Sequence, residues 1–141
     1  MITDMINIEA IKPKTKTLAE KYGLSLILLF GSQVTGKTHK ESDVDIAYLS
    51  SRKFSFDEES NIDTDLIEIF KNNEVQLVNI KKASPLFMKK IVEKCIVLYE
   101  EDRSIFTDLI LHSIRMYEES SALFDLRRHY LDYKINSYQN A

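Results

Sequence analysis

The sequence predicts an α/β (α+β) domain: a small mixed β-sheet with helices packed on it, followed by a long C-terminal helical segment. Three observations predict it. Helix-like and strand-like segments alternate between residue 8 and about residue 100. The strand-like runs are short, apolar and bounded by turn residues. From Glu101 to Ser137 there is neither glycine nor proline, while Ile105, Leu109, Met116, Leu123, Phe124 and Leu131 recur at helical spacing.

The elements follow in order. Ile8 to Tyr22 reads as a helix with Pro13 near its first turn and Gly23 as its stop. Leu24 to Phe30 is strand-sized, apolar and followed by glycine, as a buried strand requires. Asp43 to Leu49 alternates acidic and apolar residues before turning wholly apolar, the pattern of a strand entering a core from a wet edge. Ser55-Phe56-Asp57-Glu58 is a capping box that opens a helix running to about Lys71. Glu74 to Ile80 is a third strand, carrying Val75, Leu77 and Val78. Ser84-Pro85 places a cap and a first-position proline before a helix through Lys94, and Ile96 to Tyr99 is a short last strand. The tail is one long helix, or two with a break near Ser120-Ser121. At 141 residues the chain suits a single domain over 1–141, with a core at 8–102 and the helical segment at 103–138.

Composition narrows the function classes. A net charge of −3 gives no basic excess, so no direct nucleic-acid binding is expected. No apolar run approaches the roughly 20 residues that cross a bilayer. Residues 1–12 lack the basic start, apolar middle and cleavage site of an export signal. Cys95 is the single cysteine, set in an apolar run, and reads as a buried hydrophobe rather than a reactive thiol. The expected compartment is the cytoplasm.

Two of only three glycines, Gly31 and Gly36, fall directly after the first strand. That stretch admits two readings, and both bind nucleotide. In the first, Gly31, Gly36, Lys37 and Thr38 match a phosphate-cradling P-loop. That motif needs a helix opening at Gly-Lys-Thr, whose amino end faces the anion. Only His39, Lys40, Glu41 and Ser42 separate Thr38 from the acidic strand, and they offer no apolar stripe. In the second, Gly31-Ser32 is followed after ten residues by Asp43-Val44-Asp45. Positions 43 and 45 share one strand face. Carboxylates so close repel one another, and a divalent cation such as Mg²⁺ relieves that repulsion. Gly31 then lets the backbone approach a triphosphate, and Ser32 can offer it a hydroxyl and an amide.

These residues resemble the DNA polymerase β-like nucleotidyltransferases, whose signature is Gly-Ser, ten residues, Asp-x-Asp. Leu18 to Gly23 looks like the end of that family's first helix; Val75 to Ile80, Pro85 and Ile96 to Glu100 look like its later elements, so the resemblance spans roughly 8–102. Within it the sequence is similar to the MNT antitoxins, partners of HEPN toxins. The resemblance implies a Mg²⁺-dependent protein adenylyltransferase that moves AMP from ATP to a tyrosine of a HEPN ribonuclease toxin and silences it. It also implies that Asp43 and Asp45 are metal ligands and catalytic residues, and that Gly31 and Ser32 bind the nucleotide phosphates, with Ser32 counted among the catalytic set. A binding-only antitoxin acting through its helical tail is the alternative in another class. Small-molecule nucleotidylation is a third, though it would usually require an added substrate domain.

One departure stands out. The family's third acidic residue corresponds in register to Gln76, whose amide is no base, with Glu74 two residues earlier as a possible substitute. Lys37 and Lys40 are candidate phosphate contacts. His39, His112 and His129 lack metal-ligand spacing to one another. No arginine has four to six residues between it and a following histidine, as in the HEPN nucleases. Of Phe106, Tyr117, Phe124, Tyr130 and Tyr133 in the tail, most are expected in the core, with an aromatic face left free for a partner by the tail's length as the alternative.

Overall fold

The computed structural model describes residues 7–31, 34 and 43–139. Helix α1 (Ile8–Tyr22) is capped by the Asn7 side chain, which accepts from the Ala10 amide, and ends at Gly23 in the left-handed region. Pro13 lies inside this helix rather than in its first turn. The proline has no N–H to give to the Glu9 carbonyl, yet the helix continues through it.

Strand β1 (Leu24–Phe30) is followed by β2 (Val44–Ser50), α2 (Phe56–Phe70), β3 (Val75–Asn79) and a short 3₁₀ turn (Ile80–Lys82). Then come α3 (Pro85–Glu93), β4 (Cys95–Glu100) and α4 (Ser104–Gln139). The capping box at Ser55 and Glu58 is formed in both directions, which fixes where α2 begins. Ser84 caps α3 with Pro85 in its first turn. These local signals explain why the helix starts fall where the sequence places them.

The four strands lie in the order β3-β2-β1-β4. β1 is antiparallel to both of its neighbours, and β2 pairs parallel with β3 through the α2 crossover. Two cores result, one on each face. Leu24, Ile27, Leu29, Val44, Ile46 and Tyr48 pack with Leu18, Ile62 and Leu66 of α1 and α2. Leu26, Leu28, Phe30 and Ala47 pack with Met88, Ile91 and Leu109 of α3 and α4. The period-two alternation along β1 and β2 therefore feeds both layers.

The tail is one helix of 36 residues without a break at Ser120-Ser121. Its first turns pack on the second core through Ile105, Phe106 and Leu109, and Tyr117 lies under the Lys89 ammonium at 4.9 Å. Phe124, Tyr130 and Tyr133 are exposed, against the expectation that most tail aromatics are core. The helix outruns the sheet it packs against, so helical spacing continues where there is no layer to bury it. Among the described residues no helix is long and apolar enough to cross a membrane. Cys95 is half-buried and free, and burial pushes its thiol up to about 11, as an inert side chain requires.

Candidate active site

Because β1 and β2 are antiparallel, the end of one strand meets the start of the other, and Phe30 stands opposite Asp45. Val44, Ile46 and Tyr48 turn into the first core. Alternation then sends Asp45 to the opposite face, the side of Phe30 and Ala47. Asp43 immediately precedes the strand, two residues before Asp45 and on the same side.

Gly31 closes the arrangement. Its φ of +81° is in the region side chains rarely adopt, and a Cβ built there would stand 2.1 Å from Oδ2 of Asp45. The Asp45 carboxylate is thus laid against bare backbone at the end of β1. Any β-carbon at 31 would displace it.

Burial holds the Asp45 carboxyl above its usual range, and the neighbouring Asp43 charge adds to this. Asp43 has a partner: Gln76 Nε2 donates to its Oδ2 at 3.1 Å. Asp45 and Gln76 are register partners across the parallel β2–β3 pair, so the amide stands in the same row as the carboxylates. Glu74 is exposed and precedes β3, and its backbone carbonyl is taken by the Val44 amide at 2.8 Å. Among the described residues no group of three His, Cys, Asp or Glu side chains could hold a metal. What remains is a pair of acids facing an open backbone turn. That donor set fits one hard divalent cation with several coordination positions left for phosphate oxygens and water.

Asp43, Asp45 and Gly31 are therefore brought together as the spacing requires. Ser32, Lys37, Thr38, His39 and Lys40 lie outside the described residues. His112 and His129 are exposed on α4, far apart along it. Two features were not read from the sequence. One is the Gln76–Asp43 hydrogen bond, which depends on parallel register that no local pattern encodes. The other is a recess of about 330 Å³ beside Gly31, lined by Phe30, Phe87, Lys90, Ile91, Glu93 and Lys94. The i, i+4 spacing of Lys90 and Lys94 was visible, but not the strand end it faces. A larger groove of about 640 Å³ follows the open edge of β3, with Tyr48, Leu77 and Phe87 in its wall and none of the motif residues, so size alone does not pick out the carboxylate pair.

The P-loop reading fails on topology. A P-loop strand sits in a parallel sheet with crossover connections, whereas β1 is antiparallel on both sides. The family described as polymerase beta, nucleotidyltransferase, matches residues 13–104, which include the strand end, the aspartate pair and Gln76. The chain belongs to the polymerase beta nucleotidyltransferase family.

Solved structures place the fold of this nucleotidyltransferase further. A chain of a toxin–antitoxin complex with AMP-PNP superposes with a TM-score of 0.70 at 25% identity, covering 88% of this chain and 98% of that one. A chain of the tri-AMPylated Shewanella oneidensis HEPN toxin in complex with MNT antitoxin gives 0.66 at 22% identity, covering 91% and 98%. A chain of the MntA–HepT toxin–antitoxin gives 0.66 at 22% identity, covering 90% and 98%. At 22% identity the last two speak for the fold alone. No curated protein matches the sequence.

Proposed function

We propose that this chain is the antitoxin of a toxin–antitoxin pair and works as a protein adenylyltransferase, moving AMP from ATP to a tyrosine hydroxyl of a HEPN ribonuclease toxin. The observation that carries the reading is the contact of Gly31 with Asp45, beside Asp43, inside a polymerase beta nucleotidyltransferase domain. It is supported by the likeness to a toxin–antitoxin complex holding AMP-PNP, and the fold is shared with a complex whose toxin is tri-AMPylated. The use of ATP as substrate supports a cytoplasmic place for the pair.

In this reading Gly31 and Ser32 contact the triphosphate, while the missing β-carbon at 31 leaves room for the Asp45 carboxylate beside it. Asp43 and Asp45 would hold Mg²⁺, which neutralises charge on the triphosphate and orients it. Lys90 and Lys94, which line the recess beside Gly31 together with Glu93, are candidate phosphate contacts. The acceptor oxygen attacks the α-phosphorus in line, the bond to the bridging oxygen breaks and pyrophosphate leaves. The hydroxyl proton passes to water, since Gln76 is no base.

A second reading has its own support. The exposed apolar outer half of α4 and the amide at position 76 suit an antitoxin that acts by contact alone. One experiment separates them. The chain is coexpressed with the product of the neighbouring gene, and that product is weighed intact. Wild type is expected to add whole adenylate increments, and Asp43→Asn with Asp45→Asn to add none. Retained adenylate in the double variant rejects the mechanism; neutralisation without any adenylate establishes the contact reading.

A further inference from the structure

We propose that Gln76 is a positioning residue that limits the carboxylate pair to a single divalent cation. The inference rests on the nucleotidyltransferase reading of the site and goes beyond it to cation stoichiometry. Three observations carry it. Gln76 is the register partner of Asp45 on the adjoining parallel strand. Its Nε2 stands 3.1 Å from Oδ2 of Asp43, where an amide can only donate to a carboxylate. Among the described residues no third acid, histidine or cysteine joins the pair.

The chemistry follows from charge and lone pairs. Two carboxylates carry two negative charges, which one divalent cation balances. A second cation about 3.5–4 Å from the first needs oxygens shared with it or close beside it, and those must be anionic to hold two like charges together. Among the described residues, the position beside the pair on the adjoining strand is filled by a neutral side chain. The same side chain occupies a lone pair of the Asp43 Oδ2. The amide fixes the Asp43 rotamer for one cation and denies the site a second.

Glu74 does not restore the missing charge in this arrangement. It lies before β3, with its backbone carbonyl tied to Val44. A residue two places away on a strand is displaced by about 7 Å, more than a metal–ligand bond spans.

The test uses the full chain and Mn²⁺ alone, counted by electron paramagnetic resonance, and then Mn²⁺ with α,β-methylene-ATP, which cannot give up AMP. Wild type is expected to bind one Mn²⁺ per chain. Gln76→Glu adds a charged oxygen and is expected to tighten Mn²⁺ by roughly tenfold or more, and with nucleotide to hold two ions showing Mn–Mn coupling. Gln76→Leu removes the donor without adding charge and is expected to remain at one ion but to bind it several-fold more weakly, because nothing then fixes the Asp43 rotamer. Circular dichroism melting checks each variant, and Gln76→Asp replaces Gln76→Glu if the latter does not fold. Two ions in wild type, or a single ion at unchanged affinity in a folded acidic variant, overturns the proposal. Failure of wild type to bind the nucleotide while these counts hold would instead strike the adenylyltransferase reading.

Discussion

Two glycines flank β1, and both take the left-handed region, Gly23 at φ +71° and Gly31 at φ +81°. Their surroundings differ. A Cβ on Gly23 would come within 3.3 Å of the Arg52 Cδ, the movable stem of an exposed side chain. A Cβ on Gly31 would stand 2.1 Å from the Asp45 carboxylate oxygen. The first glycine ends a helix, its amide donating to the Ala19 carbonyl, and serves folding. The second clears space for a charged group that folding alone would not place there. The same residue type with the same backbone angle thus marks a structural turn at one end of the strand and a site at the other. What separates them is the side chain each one faces.

Gly31→Ala is expected to have the largest effect. It forces Asp45 away from the turn, and a shift of about 1 Å in a reacting constellation costs about 100-fold in rate. Adenylate transfer, read by intact mass, should fall by at least that factor. Mn²⁺ binding should weaken with it, while the far-ultraviolet circular dichroism stays native. Activity within a few-fold of wild type would mean that Asp45 has no need of its place against Gly31. Gly23→Ala sharpens the contrast from the other side. An alanine in the left-handed region costs about 1–2 kcal/mol, which lowers the melting temperature by several degrees. Transfer at a temperature where the variant is folded should be unchanged. Equal damage to activity from both substitutions would erase the distinction.

Much of this was legible in the sequence because the signals are local. Ser55 with Glu58, Ser84 with Pro85, and Gly23 each act within one turn of chain, so the helix starts and the first helix stop could be read directly. The Asp-x-Asp pair and Gly31 could also be read, since strand alternation fixes the face once both strands exist. Position 76 was legible as a register guess, but its contact was not. The Gln76–Asp43 bond needs two strands 33 residues apart to settle into one parallel register, and that is decided by packing of α2 against the sheet. The tail shows the opposite failure. Leu123, Phe124 and Leu131 keep helical spacing, which ordinarily signals a buried face, yet all three are exposed. Periodicity reports which residues share a face, not whether another layer lies opposite it.

Asp45→Asn probes the smallest effect and the one whose sign is least obvious. The native state holds the Asp45 proton more tightly than the unfolded chain does, because burial and the Asp43 charge both disfavour the anion. Below the ordinary carboxylate value of 3.8 both states are protonated, and the residue contributes no pH dependence. As pH rises through the native value the folded chain must carry an anion it disfavours, so this group lowers stability, and the penalty stays constant above that window. Asparagine has no such penalty. The metal-free variant should therefore melt with wild type near pH 3.5 and slightly above it near pH 7. Saturating Mg²⁺ should shrink or reverse the gap by stabilising only the wild-type anion. A difference in melting temperature that is the same at both pH values would show that Asp45 sits at ease among its neighbours, and that the strand end beside Gly31 carries no more strain than the turn at Gly23.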